Sequence, residues 1–138
     1  MKNIVLFAFL SLCSLRLYGE GFLVEDIEFE SHGVKLSGSI VFPKNREIHS
    51  AVVFVHGSGR QTRNMYWAER FASEGIAALV YDKRGVGRSG GKYESRQRVS
   101  EKNIALLADD SISALNVLYK HAKIKGLYLG LTGISQAG

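Results

Sequence analysis

Near the carboxyl end of the chain, Gly133-Ile134-Ser135-Gln136-Ala137 sets a serine between very small residues, directly after the apolar run from Leu127 to Thr132. A serine delivered by a strand into a sharp turn before a helix is placed as a nucleophile for acyl transfer. The requirement is steric. The turn forces the serine into a strained backbone conformation, crowds positions 133 and 137 together, and pushes Ser135 Oγ into the open. A second stretch with complementary chemistry is His56-Gly57-Ser58-Gly59, which follows the apolar run Ala51 to Val55. Backbone N–H groups of such a loop, with that of the residue after the serine, can hold the oxyanion of a tetrahedral intermediate, at about 3–4 kcal/mol per donor. The expected donors are the N–H groups of Gln136 and Ser58, with Gly59 N–H as the alternative; the Ser58 side chain is incidental.

Bringing these groups together takes a sheet. Phe22 to Phe29 alternates apolar and polar residues, and Val34 to Phe42 does so again after the turn signal Ser31-His32-Gly33, which predicts an antiparallel hairpin. Ala51 to Val55 is a continuous apolar run, the mark of a strand covered on both faces. A helix is expected from about Asn64 to Ser73, with Tyr66, Trp67, Arg70 and Phe71 at helical spacing and Gly75 as its stop, before a fourth strand from Ile76 to Tyr81. Strand, glycine loop, helix and strand make a parallel βαβ unit. A turn-rich loop, Asp82 to Gly91, leads toward a helix from about Asn103 to Ala122, whose stripe of Ile104, Leu107, Ala108, Ile112, Leu115, Leu118 and Tyr119 should face the sheet. The fifth strand, Leu127 to Thr132, then delivers Ser135. The expected class is α/β, a mostly parallel sheet with an N-terminal antiparallel hairpin. Loops at the carboxyl ends of its parallel strands gather on one edge, where ligands bind.

With 138 residues, 46% hydrophobic and 22% charged, the chain reads as one globular domain or part of one. Met1-Lys2-Asn3 and the apolar run Ile4 to Leu15 have the form of a secretory signal, too short to span a bilayer. Residues 1–19 are therefore expected to be a leader cut near Gly19, leaving 20–138 as an exported domain, periplasmic or extracellular; an uncleaved N-terminal anchor is the alternative. Cutting there removes Cys13, the only cysteine, so no disulfide is expected, and it removes Lys2 and Arg16 from a formal charge of +5. The basic residues between Arg84 and Lys102 alternate with Glu94 and Glu101 and lack an aromatic ladder, which predicts a solvated loop and no nucleic-acid partner. His and Cys do not recur at ligand spacing after residue 19, so neither a metal nor a cofactor is expected.

The hairpin, the His-Gly-x-Gly loop at 56–59, the Tyr81-to-Gly90 loop and the elbow at 133–137 together resemble the α/β-hydrolases. Within that family the chain is similar to exported bacterial hydrolases of the dienelactone-hydrolase and serine-aminopeptidase type, which cleave esters or peptide bonds. The resemblance implies Ser135 as nucleophile, Gln136 and a residue of the 57–59 loop as oxyanion donors, a structural role for His56, Gly57, Gly133 and Ala137, and a small-molecule ester or peptide substrate. Ala137 stands where glycine is commoner. The family's acid and histidine follow the serine in chain order, and this chain ends at Gly138. It is accordingly expected to be the N-terminal half of a hydrolase, truncated after the fifth strand and without a triad. His32, His49 and His121 are badly placed to substitute as base, and His56 begins a tight loop.

Two other readings compete. Gly85-Val-Gly-Arg-Ser-Gly90 has a dinucleotide-binding spacing, with Asp109 further on, but the polar stretch from Gly91 to Arg98 offers no apolar helix for a phosphate to sit on. A non-catalytic exported scaffold that retains half of the fold is the other. Asp82, Arg84 and Ser89 are expected to fix their loop through side-chain to backbone hydrogen bonds. Asp109 and Asp110 should serve only the helix dipole, and Tyr66, Trp67 and Phe71 should cover the sheet. Oligomeric state leaves no mark on the sequence.

Overall fold

The structure, a computed structural model, describes residues 15–18, 21–95 and 100–135. Its elements run β1 (Leu15–Tyr18), β2 (Phe22–Ser31), β3 (Val34–Pro43), β4 (Ser50–Val55), α1 (Met65–Ser73), β5 (Ile76–Tyr81), α2 (Glu101–Lys120) and β6 (Tyr128–Gly133). The strands form one sheet in the order β1-β2-β3-β5-β4-β6. β2 and β3 make the expected hairpin, closed from Ser31↔Val34 through His32 and Gly33, both left-handed with φ of 49° and 69°. That pair of positive angles twists the turn in the same sense as the strands. β3 meets β5 antiparallel, whereas β4 runs parallel to both β5 and β6. β1, inside the expected leader, pairs antiparallel with Phe22 to Glu25. Cleavage near Gly19 would remove it and leave β2 as the edge.

The alternation read from the sequence sorts side chains to two faces. Phe29, Leu36, Ile40, Phe42, Val53, Leu79 and Tyr81 pack on one, with Ala114 and Leu118 of α2. Val24, Val41, Phe54, Ala78 and Val80 pack on the other, against Ala68 and Ala72 of α1. Asn64 caps α1 by accepting from Trp67 N–H at 3.3 Å, and Ser100 caps α2 by accepting from Asn103 N–H at 3.1 Å. The second helix thus begins and ends about two residues earlier than its periodicity suggested.

Its inward face also differs from the expected stripe. Asn103, Asp110, Ser111, Ala114 and Leu118 are buried, whereas Ile104 and Ile112 are each 48% exposed and Tyr119 is 70% exposed. The reason is Asp110, which is drawn fully inside by a buried arginine and turns the helix with it. On α1, Trp67 stacks on Phe54 with ring centroids 6.0 Å apart, as expected of sheet cover, but Tyr66 points outward at 64% exposure.

Candidate active site

Parallel pairing of β4 with β6, ending at Val55↔Gly133, brings the loop after β4 and the turn after β6 out at the same edge of the sheet. Gly133 closes β6, and Ser135 follows with φ +58°, exposed to solvent. A left-handed serine costs on the order of 1–2 kcal/mol and persists only where its surroundings over-determine it. Gln136 and Ala137, the other expected members of this turn, lie outside the described residues.

Gly57 lets the two loops meet. A Cβ there would lie 3.2 Å from Ile134 O and 3.3 Å from Ser135 Cβ, so only a missing side chain permits this approach without displacement. Among the described residues, the N–H groups of Ser58 and Gly59 have no acceptor. The Ser58 carbonyl instead accepts from Gln61 Nε2 at 3.0 Å, which closes the loop on itself. Beside the elbow lies an open groove of about 430 Å³ lined by residues 60–65 and Ile134.

His56 is buried with its ring edge-on to Tyr81, centroids 4.5 Å apart, and its Nε2 contacts the Tyr81 carbonyl. A carbonyl only accepts, so Nε2 carries the proton and is committed to the backbone. Burial pushes the His56 pKa down, more than the Tyr81 carbonyl restores it. His32 bonds to Asp109 at 2.7 Å, His49 Nε2 to the Glu74 carbonyl at 2.8 Å and His121 to Glu25 at 3.2 Å. None of the four is bonded to Ser135.

The loop after β5 supports the site from beneath. Burial alone would raise the Asp82 carboxyl. The Arg63 side chain and the N–H groups of Arg63 and Arg88, both donating to Asp82, outweigh that and hold it below the usual carboxylate range. Ser89 Oγ donates to the Asp82 carbonyl at 2.6 Å and accepts from Ser37 N–H at 3.0 Å. These bonds are of the kind expected from sequence. Arg84 makes such a bond to the Ser31 carbonyl at 3.0 Å and in addition forks onto Asp110 at 2.9 and 2.5 Å. Asp110 is therefore a structural counter-ion, not a helix-dipole charge. The glycine motif opens no helix between residues 85 and 95: Gly85 N–H donates to Gly90 O, Ser89 N–H to Val86 O, and α2 starts only at Glu101. That is not the junction a dinucleotide needs.

Two residues of this support carried no sequence signal. Arg63 reaches Gly38 O and Ser39 Oγ at 2.8 Å, Ser37 Oγ at 2.6 Å and Asp82 at 3.0 Å, tying the hairpin to the loops of the site. Lys83 sends Nζ to the Gly57 carbonyl at 2.9 Å. Neither lies in a periodic segment, and only the sheet order brings their partners near. Among the described residues no group of three or more His, Cys, Asp or Glu is arranged to hold a metal, and no helix is long and apolar enough to cross a membrane.

A mixed sheet flanked by a helix on each face, with a left-handed serine at the end of its second parallel crossover, defines the α/β-hydrolase fold. Acetyl xylan esterase 1 from Thermoanaerobacterium shares this fold over 91% of the present chain and 45% of its own, with a TM-score of 0.68 and 15% identity. An esterase from Pyrococcus furiosus (TM-score 0.61, 28% identity, 84% of this chain and 41% of that one) and a dienelactone hydrolase from Anabaena variabilis (0.63, 27%, 86% and 54%) resemble it in sequence as well. The family described as serine aminopeptidase, S33, matches residues 46–135, and the chain belongs to that hydrolase family. The quorum-quenching protein AidA of Acinetobacter baumannii is 39% identical over 69 residues, which make up 49% of this chain and 23% of AidA. The chain thus spans about a quarter of that curated relative and 41–54% of these three structures.

Proposed function

We propose that this chain is the nucleophile-bearing part of an exported serine hydrolase, which cleaves a carboxylic ester or a peptide or amide bond through an acyl-enzyme on Ser135. The observation that carries the reading is the left-handed φ of Ser135 just after β6, against a Gly57 loop whose Ser58 and Gly59 N–H groups have no acceptor among the described residues. In this mechanism Ser135 Oγ attacks the carbonyl carbon while its proton passes to a base. The carbonyl oxygen becomes an oxyanion held by Ser58 N–H and Gln136 N–H, with Gly59 N–H as the alternative to Ser58. Collapse expels the alcohol or amine, which takes the proton, and water then releases the acid from the serine.

His56 is not hydrogen-bonded to Ser135, and burial lowers its pKa, so it is not placed or poised to take that proton. The base and its orienting acid are assigned to polypeptide beyond Gly138, packed against β6 and the turn after it, where Tyr128, Leu131 and Ile134 are 87%, 46% and 44% exposed. On this reading the 138 residues alone are inactive. Export rests on the basic start and apolar run of residues 2–15. A non-catalytic scaffold is the second reading, supported by the commitment of all four histidines to other partners.

The test is capture of the protein from its native source with a fluorophosphonate probe, followed by intact and peptide mass analysis. A labelled species well above 15.2 kDa with the adduct on Ser135 supports the hydrolase. A stable product at or below that mass, never labelled, supports the scaffold. Paired p-nitrophenyl esters and aminoacyl anilides then separate esterase from peptidase.

A further inference from the structure

Three cationic side chains lie beneath the site, and they are not held alike. Arg63 is paired with Asp82 and Asp26, and Arg84 with Asp110. Lys83 sits between Asp82 and Arg84 in sequence and is only 5% exposed, yet no carboxylate lies within ion-pairing distance among the described residues. Among the described residues its one side-chain hydrogen bond goes from Nζ to the Gly57 carbonyl. A buried unpaired ammonium is costly. The fold retains it, hydrogen-bonded to the loop that meets the elbow.

The geometry gives that placement a consequence. In a trans peptide the C=O and the N–H of the next residue point in opposite directions. With the Gly57 carbonyl fixed on Lys83, Ser58 N–H must leave the other side of the same plane. The α-carbon of Gly57, meanwhile, packs on Ser135. A cation on the oxygen of an amide withdraws electron density from its N–H, which strengthens that N–H as a donor. The same positive charge, itself buried, favours a developing oxyanion on that N–H.

We propose that Lys83 is a positioning residue of the oxyanion site, whose ammonium orients and polarises the Gly57–Ser58 peptide so that Ser58 N–H binds the tetrahedral oxyanion. This deepens the assignment of Ser135 and rests on it. Arginine at the same place would keep the charge with a different reach. Methionine would fill similar space without charge.

Two measurements on the protein at its full native length test the proposal. The first follows the Ser58 amide resonance from pH 7 to 11. Burial lowers the Lys83 pKa, so the resonance should shift in one step centred below the ordinary lysine value of 10.5. Lys83→Met should abolish that step. His56, which faces Lys83, has its pKa lowered and is already neutral in this range; Asp82 stays ionised, and burial raises Tyr81 beyond it. The second measures the rate at which a fluorophosphonate labels Ser135. Lys83→Met should slow labelling about tenfold or more, a fraction of what losing a whole oxyanion donor costs, without lowering the urea midpoint. Lys83→Arg should restore part of the rate. A flat Ser58 titration, a step that persists in Lys83→Met, or a rate unchanged by Lys83→Met overturns the proposal while leaving Ser135 as nucleophile. Failure of the wild-type protein to label removes the oxyanion site, and the proposal with it.

Discussion

Replacing Asp110 with asparagine should be among the most destabilising single changes outside the apolar core. The carboxylate is fully buried and takes two bonds from Arg84, at 2.9 and 2.5 Å, while Arg84 itself is 5% exposed. In Asp110→Asn the guanidinium keeps the Ser31 carbonyl but loses its counter-charge in a site water does not reach. Breaking one side of a buried pair costs about 3–5 kcal/mol, against a total of about 5–15 kcal/mol for a domain. At about 3–5 °C per kcal/mol for a chain of this size, Tm should fall by roughly 10–20 °C. Arg84→Met should cost a similar amount, because it strands the carboxylate instead. The double variant Arg84→Met/Asp110→Leu leaves no lone charge and should be more stable than either single variant. Urea unfolding of the four proteins measures this cycle. Additive losses, or a single-variant cost under about 1 kcal/mol, would refute the assignment of these residues as one unit.

The remaining predictions concern the site. Ser135→Gly should abolish fluorophosphonate labelling while raising stability by up to about 1 kcal/mol, because glycine adopts φ +58° without strain; a loss of stability would argue against an over-determined elbow. Gly57→Ala places a Cβ 3.2 Å from Ile134 O and 3.3 Å from Ser135 Cβ, so the loops must part by a few tenths of an ångström. Labelling of Ser135 should then slow about tenfold or more, since catalysis is sensitive to such displacement, and an unchanged rate would show that the loops need not touch. Burial holds the His56 pKa below 6.5, so the unfolded chain takes up this proton first. Its contribution to stability is complete above pH 6.5 and is lost progressively as pH falls from there through the lowered folded value, and the urea midpoint of His56→Asn should vary less between pH 7.5 and 5.5 than that of the wild type.

Legibility followed the range over which each cause acts. The hairpin and the apolar strands arise from neighbours a few residues apart, and their periodicity is written in order along the chain. The same holds for the elbow. Small residues flank Ser135, and its left-handed φ is the local strain that such flanks permit. The inward face of α2 could not be read this way. Counting apolar residues selected Ile104, Ile112 and Tyr119, but the face was decided by Asp110 meeting Arg84, a pairing between segments 26 residues apart.

The sequence by itself determined the alternation of strands and helices and the position of the serine between its small neighbours, because sterics and hydrophobic periodicity act through adjacent residues. Only the tertiary structure decided that β4 lies beside β6, that Arg63 binds the hairpin to Asp82, and that Lys83 reaches the Gly57 carbonyl. Those contacts follow from strand order. A buried charge takes whichever partner the assembled sheet places within hydrogen-bond reach, and that partner has no fixed spacing along the chain.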